Sequence, residues 1–306
     1  MIINFDLELI YKDTKLFYGN KDRFSSLTGV IFISSNLLVA CSYFNRRIYL
    51  IHFDLEKNTY EILHTINTIN SKRKKVVSDL LDYNGKYILA SNLLDCSISL
   101  YYIIDNKLYY KKTITNKNLG LCHGISFYPS QNDIVFFTTS GTKNPNCGIY
   151  GLNLINNKII VSVTENNLLA KDVCFSLDGK KMYGIYSESA PSGIEKRIYS
   201  GKLVIYDINL KCEKKIIKKS ELLLSDCHVD SIKVKDNKIY ITAQELDAYG
   251  YIYELIENDK KIILLNKFVN YDFPHGIDIN FDMLGVTEYG KNCLNIIYYD
   301  EKDKIN

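Results

Sequence analysis

Proline is scarce in this chain, four residues in 306. That is too few for Pro-rich linkers or a low-complexity arm, and with 46% hydrophobic and 24% charged residues the whole length is expected to fold. No apolar run reaches the roughly 18 residues of a membrane-spanning helix. The start MIINFDLELI carries acids where a secretory leader would carry a basic segment. Charge of one sign is missing too: the formal net charge is +3, too small to argue for nucleic acid, and the one dense basic run, KRKK at 72–75, reads as a solvated loop. There is no CxxC pair among the eight cysteines (41, 96, 122, 147, 174, 212, 227 and 293). They are expected to be reduced and mostly buried, as in a cytoplasmic protein, with a reactive thiol at Cys122 or Cys227 as the minor alternative.

What the chain does have is a repeat. Six short apolar strands open at Thr28 (TGVIF), Asp79 (DLLDY), His123 (HGISF), Asp172 (DVCFS), Asp230 (DSIKV) and His275 (HGIDI), at intervals of 44 to 58 residues. Each is followed by a turn and a second strand: LLVACS, KYILAS, IVFFTTS, MYGIYS, KIYITA and LGVTE. Ser91, Thr242 and Thr287 each stand twelve positions after the opening residue of their unit. Tyr (25) and Phe (13), with Ile, Val and Leu, suit pleated surfaces packed face to face. Self-similarity at a period of about 40–50 residues with four strands per period predicts a β-propeller, an all-β fold that can use the full length as one domain.

Five units trace as complete four-strand blades, over 28–66, 79–115, 123–163, 172–219 and 230–268, with polar turns such as DLEKN and INNK between strands. The last unit, from 275 to about 300, has three strands only. The alternating segment 2–11, IINFDLELIY, is expected to supply the fourth by pairing with 293–299, closing a six-bladed ring and removing an exposed edge. The longest interval contains ESAPSGIEKRIY (188–199), read as a loop insertion able to act as a lid.

In a propeller the openings of the innermost strands surround one axis. The expected ring is therefore Thr28, Asp79, His123, Asp172, Asp230 and His275. Loop residues on the same face are Asn92, Thr142, Glu188, Gln244, Glu245, Glu288 and Tyr289, with His228 two residues before Asp230. Acids crowded on one axis call for a counter-charge, and a divalent metal held by Asp and His would supply it. The competing reading is a polar channel that holds waters, with Gly turning the chain and His capping it. His52 and His64 fall in outer strands and are expected to be structural.

DVCFSLDGKKMYGIYS (172–187) resembles a stretch of the senescence-marker-protein/gluconolactonase family, whose first residue, an Asn metal ligand, falls on Asp172. The resemblance also implies Asp230 as ligand and proposed base, while Thr28 stands where that family carries a glutamate ligand. PHGI and CHGIS resemble strand openings of paraoxonase-type and NHL-repeat propellers. The expectation is a metal-dependent hydrolase or lyase acting on a lactone, ester or sugar derivative. Asp230, His123 and His275 would be catalytic, and Asp172, Asp230 and His275 would hold Ca²⁺, Mg²⁺, Mn²⁺ or Zn²⁺. Asp79, Asn92, Glu188, His228, Gln244, Glu288 and Tyr289 would contact the substrate. The alternative is a non-catalytic propeller binding a small ligand or a protein partner on the same rim, with neither nucleic acid nor membrane as a partner.

Overall fold

Period-two and continuous apolar runs of five to twelve residues, punctuated by Asn, Asp and Gly turns, form 24 strands among the described residues of the computed structural model. It describes residues 2–6, 27–43, 46–68, 76–116, 119–139, 147–165, 168–188, 200–225, 227–244, 249–258, 261–291 and 293–298. The expectations for residues 7–11 and 299 of the closing strands, the KRKK run, Thr142, the insertion after Glu188 and Glu245 lie outside these residues. No helix long and apolar enough to cross a membrane is present among the described residues.

The strands form six antiparallel four-stranded sheets. The N-terminal strand is β1 (Ile2–Asp6), and blade one contains β2 (Leu27–Ser34), β3 (Leu37–Ser42), β4 (Arg47–Asp54) and β5 (Thr59–Asn67). Blade two contains β6 (Ser78–Tyr83), β7 (Ile88–Asn92), β8 (Ser97–Ile104) and β9 (Lys107–Thr115). Blade three contains β10 (Cys122–Phe127), β11 (Ile134–Thr139), β12 (Gly148–Asn153) and β13 (Lys158–Val163). Blade four contains β14 (Leu168–Phe175), β15 (Lys181–Glu188), β16 (Ser200–Ile208) and β17 (Ile216–Ser225). Blade five contains β18 (His228–Lys235), β19 (Lys238–Gln244), β20 (Tyr249–Asn258) and β21 (Lys261–Asp272). Blade six takes β22 (Pro274–Asn280), β23 (Met283–Glu288) and β24 (Cys293–Tyr298) from the end of the chain, and its outer strand is β1. Register runs from Ile2 opposite Ile297 to Asp6 opposite Cys293.

The first strands β2, β6, β10, β14, β18 and β22 contact one another in turn, and β22 returns to β2, so the ring closes. The core is divided among the six blade interfaces. Phe32, Leu38 and Phe53 of blade one pack with Met283, Leu294 and Ile296 of blade six, and comparable clusters fill the other five gaps. Each first strand begins at a β-bulge, where the pairing register shifts. A bulge re-aims the side chains at its own position, and here it turns the opening residues of the blades toward the axis.

A shared set of hydrogen bonds identifies those opening residues. A hydroxyl or thiol on the second strand of one blade donates to the backbone carbonyl of the opening residue of the next. Cys41 bonds Asp79 O at 3.2 Å, Ser91 bonds His123 O at 2.5 Å and Thr138 bonds Lys171 O at 2.9 Å. Thr242 bonds His275 O at 2.8 Å and Thr287 bonds Thr28 O at 3.0 Å. The fourth blade departs from the pattern: Tyr186 directs its hydroxyl to Tyr206 at 2.8 Å, and Ser187 holds Val229 instead. By this pattern the opening residue of blade four is Lys171, one residue earlier than the sequence repeat suggests. KDVCF then aligns with HGISF without a gap, and the aliphatic third residues Val30, Leu81, Ile125, Val173, Ile232 and Ile277 are all buried.

The fourth positions make a second, deeper level on the axis. Lys233 of blade five reaches Asp82 of blade two at 2.9 Å and Asp278 of blade six at 4.0 Å. Carboxylates at this level also bind backbone N–H groups across alternate blade interfaces. Asp278 accepts from Phe32 N at 2.7 Å and Asp82 from Phe127 N at 2.7 Å, and at the third such interface Asp172, the second residue of its blade opening, accepts from Ile232 N at 3.0 Å. Burial would lower the Lys233 ammonium pKa, but Asp82, Asp278 and Asp172 outweigh it and hold the group charged.

Candidate functional site

The axial ring contains Thr28, Asp79, His123, Lys171, Asp230 and His275, so its charge differs from the expectation of three carboxylates. Asp172 does not face it: one carboxyl oxygen accepts from Val173 N at 2.8 Å, and the other from Ser231 Oγ at 2.9 Å and Ile232 N. Lys171 takes the place in the ring, its ammonium 3.0 Å from Asp230 Oδ1. The Thr28 hydroxyl turns to Cys41 Sγ and Ser78 O.

Asp230 is saturated with donors. Oδ1 receives Lys171 and, at 3.1 Å, His228 Nε2, while Oδ2 receives Gln244 Nε2 at 2.9 Å. Burial alone would raise this carboxyl, but Lys171, His228 and His275 outweigh it and hold Asp230 well below the usual carboxylate range. It is thus a fixed anion that orients Lys171, His228 and Gln244.

Asp79 has the opposite environment. It is 2% exposed, and its pKa is raised to about 6 by burial, against the partial attraction of His275 and Lys171. Its Oδ2 has no hydrogen-bond partner among the described residues. Two imidazole nitrogens face this carboxylate: His123 Nε2 lies 3.4 Å from Oδ2 and His275 Nε2 lies 3.6 Å from Oδ1. The opposite nitrogens are already committed, His123 Nδ1 to Lys171 O at 2.8 Å and His275 Nδ1 to Thr28 O at 3.1 Å. A nitrogen facing a carbonyl must carry the proton, so when either ring is neutral it presents its Nε2 lone pair toward Asp79. Burial and then the Lys171 ammonium push His123 well below the normal imidazole range and keep it neutral. One ligand atom each from Asp79, His123 and His275 lie within 4.8 Å of one another. A lone pair aimed at an unpartnered buried carboxylate oxygen is unfavourable without a cation between them.

The remaining expected residues divide by position. His228 and Gln244, tied to Asp230, border the ring, and the Tyr289 ring lies 5.9 Å from that of His275. Asn92 is knotted into blade two by Ser78, Ser97 and Ser99. Glu288 is 3% exposed and turned away from the ring, where it accepts from Asn295 and Cys293 of blade six and from the backbone N–H of Asp272 at the end of blade five. Glu188 is exposed at the end of β15. Cys122, beside His123, is raised well above its ordinary pKa by burial and by Asp79, which argues against a reactive thiolate. Lys171 was missed because an acid one position later looked like the natural member of an acidic ring. The gapless match of KDVCF to HGISF was the available signal.

No protein-family model matches the chain, and no curated protein sequence is detectably similar. Solved structures share the fold. Hydrazine synthase from Kuenenia stuttgartiensis superposes with a TM-score of 0.63 at 10% identity, covering 92% of this chain and 98% of that one. A 6-phosphogluconolactonase candidate from Bacteroides uniformis gives 0.58 at 14% identity, covering 90% and 81%. The Cps50 (Swd1) β-propeller domain from Myceliophteria thermophila gives 0.56 at 10% identity, covering 90% and 97%.

Proposed function

We propose that the protein is a metal-dependent hydrolase or lyase of a small polar substrate, with the metal held by Asp79, His123 and His275. The observation that carries this reading is the unpartnered Asp79 Oδ2, faced by an imidazole whose other nitrogen is committed to a carbonyl. Two imidazoles and one carboxylate suit Zn²⁺ or a similar transition ion better than Ca²⁺ or Mg²⁺, and three protein ligands leave a position for water or substrate. A bound ion of this kind would polarise a carbonyl or acidify a water. Around it, Asp230 holds the Lys171 ammonium toward the ring as a fixed positive charge for an oxyanion. His228, oriented by the same carboxylate and 26% exposed, is the nearest imidazole outside the ligand set and suits proton transfer at the mouth. Tyr289 beside His275 offers a flat wall for a ring-shaped substrate. The lactonase candidate among the structural neighbours supports lactones as the first compounds to test.

Elemental analysis of the purified protein should find about one transition-metal ion per chain, and Asp79→Asn should remove it. Lactones and aryl esters should be turned over by the loaded wild type and not by Asp79→Asn. Protein that contains no metal and takes up none from added Zn²⁺ contradicts the reading. Protein that binds the ion yet hydrolyses nothing leaves the rim as a ligand- or partner-binding surface.

A further inference from the structure

Two buried hydroxyls that touch neither imidazole stand behind the proposed ligands in matching positions. Thr138 Oγ1 accepts from Gly124 N at 2.7 Å and donates to Lys171 O at 2.9 Å, the same oxygen that receives His123 Nδ1. Thr287 Oγ1 accepts from Gly276 N at 2.8 Å and donates to Thr28 O at 3.0 Å, the oxygen that receives His275 Nδ1. Both threonines are fully buried. Each relay therefore runs from the glycine after the histidine, through a threonine on the second strand of the same blade, to a carbonyl on the next blade, and back to the imidazole.

We infer that Thr138 and Thr287 are positioning residues that fix the tautomer and orientation of His123 and His275 for metal capture. The geometry supports this through three connected requirements. An imidazole binds a metal through a bare nitrogen only if its other nitrogen holds the proton, and an acceptor placed there raises its basicity. The acceptor here is a backbone oxygen on a neighbouring blade, so its position depends on what fixes that blade edge. The threonine fixes it from the histidine's own blade, so ligand and acceptor move together. The glycine is part of the device, because a Cβ at Gly276 would collide with Thr28 O and one at Gly124 with Asp172. Without that close approach neither carbonyl could sit within reach of both the hydroxyl and the ring. The same hydroxyl position in blade four is taken by Tyr186, and the opening residue of that blade, Lys171, carries no imidazole to orient. Ser91 and Thr242 make the same bonds in the blades that open with Asp79 and Asp230, so the hydroxyl bond holds blade edges generally and orients a ring only where the opening residue is a histidine.

The inference rests on the metal reading, and the experiment separates the two. Zn²⁺ affinity of the full chain is measured by competition with a chromophoric chelator for wild type, Thr138→Val, Thr287→Val, Thr138→Ser, Thr287→Ser and Ser187→Ala. Ser187 makes a comparable pair of hydrogen bonds to Val229 at the blade four–five interface, away from the ligands, so its variant reports the stability cost alone. The valine variants should bind Zn²⁺ roughly 10- to 100-fold more weakly. The serine variants should recover most of that loss, and Ser187→Ala should bind as wild type does. Valine variants indistinguishable from Ser187→Ala overturn the positioning role. Wild type that binds no Zn²⁺ overturns the metal reading and this inference with it. Imidazole ¹⁵N spectra of metal-free wild type give an independent check: both rings should show a protonated Nδ1 and a bare Nε2, and protonated Nε2 on either ring also overturns the inference.

Discussion

Asp172 shows how much one residue of displacement changes a carboxyl group. Placed just past the axial ring, it is buried and meets two backbone N–H groups and the Ser231 hydroxyl. Burial raises its pKa to about 6, only partly offset by Lys233 and those hydrogen bonds. The native carboxyl thus keeps its proton to higher pH than the unfolded one, whose pKa is about 3.9. The stability linked to that proton is fully present below about pH 4 and is lost as pH rises through about 6, a difference of at most roughly 3 kcal/mol. Asp172→Asn should remove this component. Urea denaturation of wild type and variant between pH 4 and 7 should show stability falling more steeply with pH in wild type. Parallel profiles would mean that Asp172 does not titrate in this range. Asp79→Asn, at the ring itself, should act on metal content.

At the level of the strand, much of the molecule can be read directly from the residues. The spacing of apolar runs and turns marks the blades, and the alternating Ile3, Phe5 segment beside a three-strand last unit marks the closure. What could not be read was the register at the blade openings. A β-bulge there places two residues opposite one, so an alignment shifted by one still looks periodic while it exchanges a lysine for an aspartate. The second axial level escaped notice for a related reason: Asp82, Lys233 and Asp278 stand three residues past the openings and look like ordinary outward-facing polar positions. Of the site, Asp79, His123 and His275 were recognised as ring members, but their pairing as one ligand group depended on Nδ1 contacts made across blades, far apart in sequence. Strand β1 carries its own prediction. Deleting residues 1–6 would leave the β24 edge unpaired, and the truncated protein should melt at lower temperature and associate. A monomer with an unchanged Tm would show that β1 does not contribute to closure.

For the whole molecule, the half-buried Lys233 ammonium is a hub. It is paired with carboxylates from blades two and six, and those carboxylates hold N–H groups of blades three and one. Lys233→Met removes the charge at similar length and leaves half-buried carboxylates facing one another. Breaking a buried pair in this way costs about 3–5 kcal/mol, so the variant should lose that much in urea denaturation at pH 7. The deficit should shrink as pH falls, because burial raises the pKa of Asp278 and lets it protonate. A loss under about 1 kcal/mol would place the cluster among weak surface-type pairs. The seam between β1 and β24 has a consequence for how the protein is made. Strand β1 finds its partner only after Tyr298 has been synthesised. Blades one to five consist of neighbouring strands and can form during translation, whereas the ring must remain open at one interface until β24 has been made. During that interval the apolar faces of Phe32 and Phe53, which later meet Met283 and Ile296, have no mate. Pulse-labelled nascent chains should therefore show chaperone dependence that peaks just before β24 emerges.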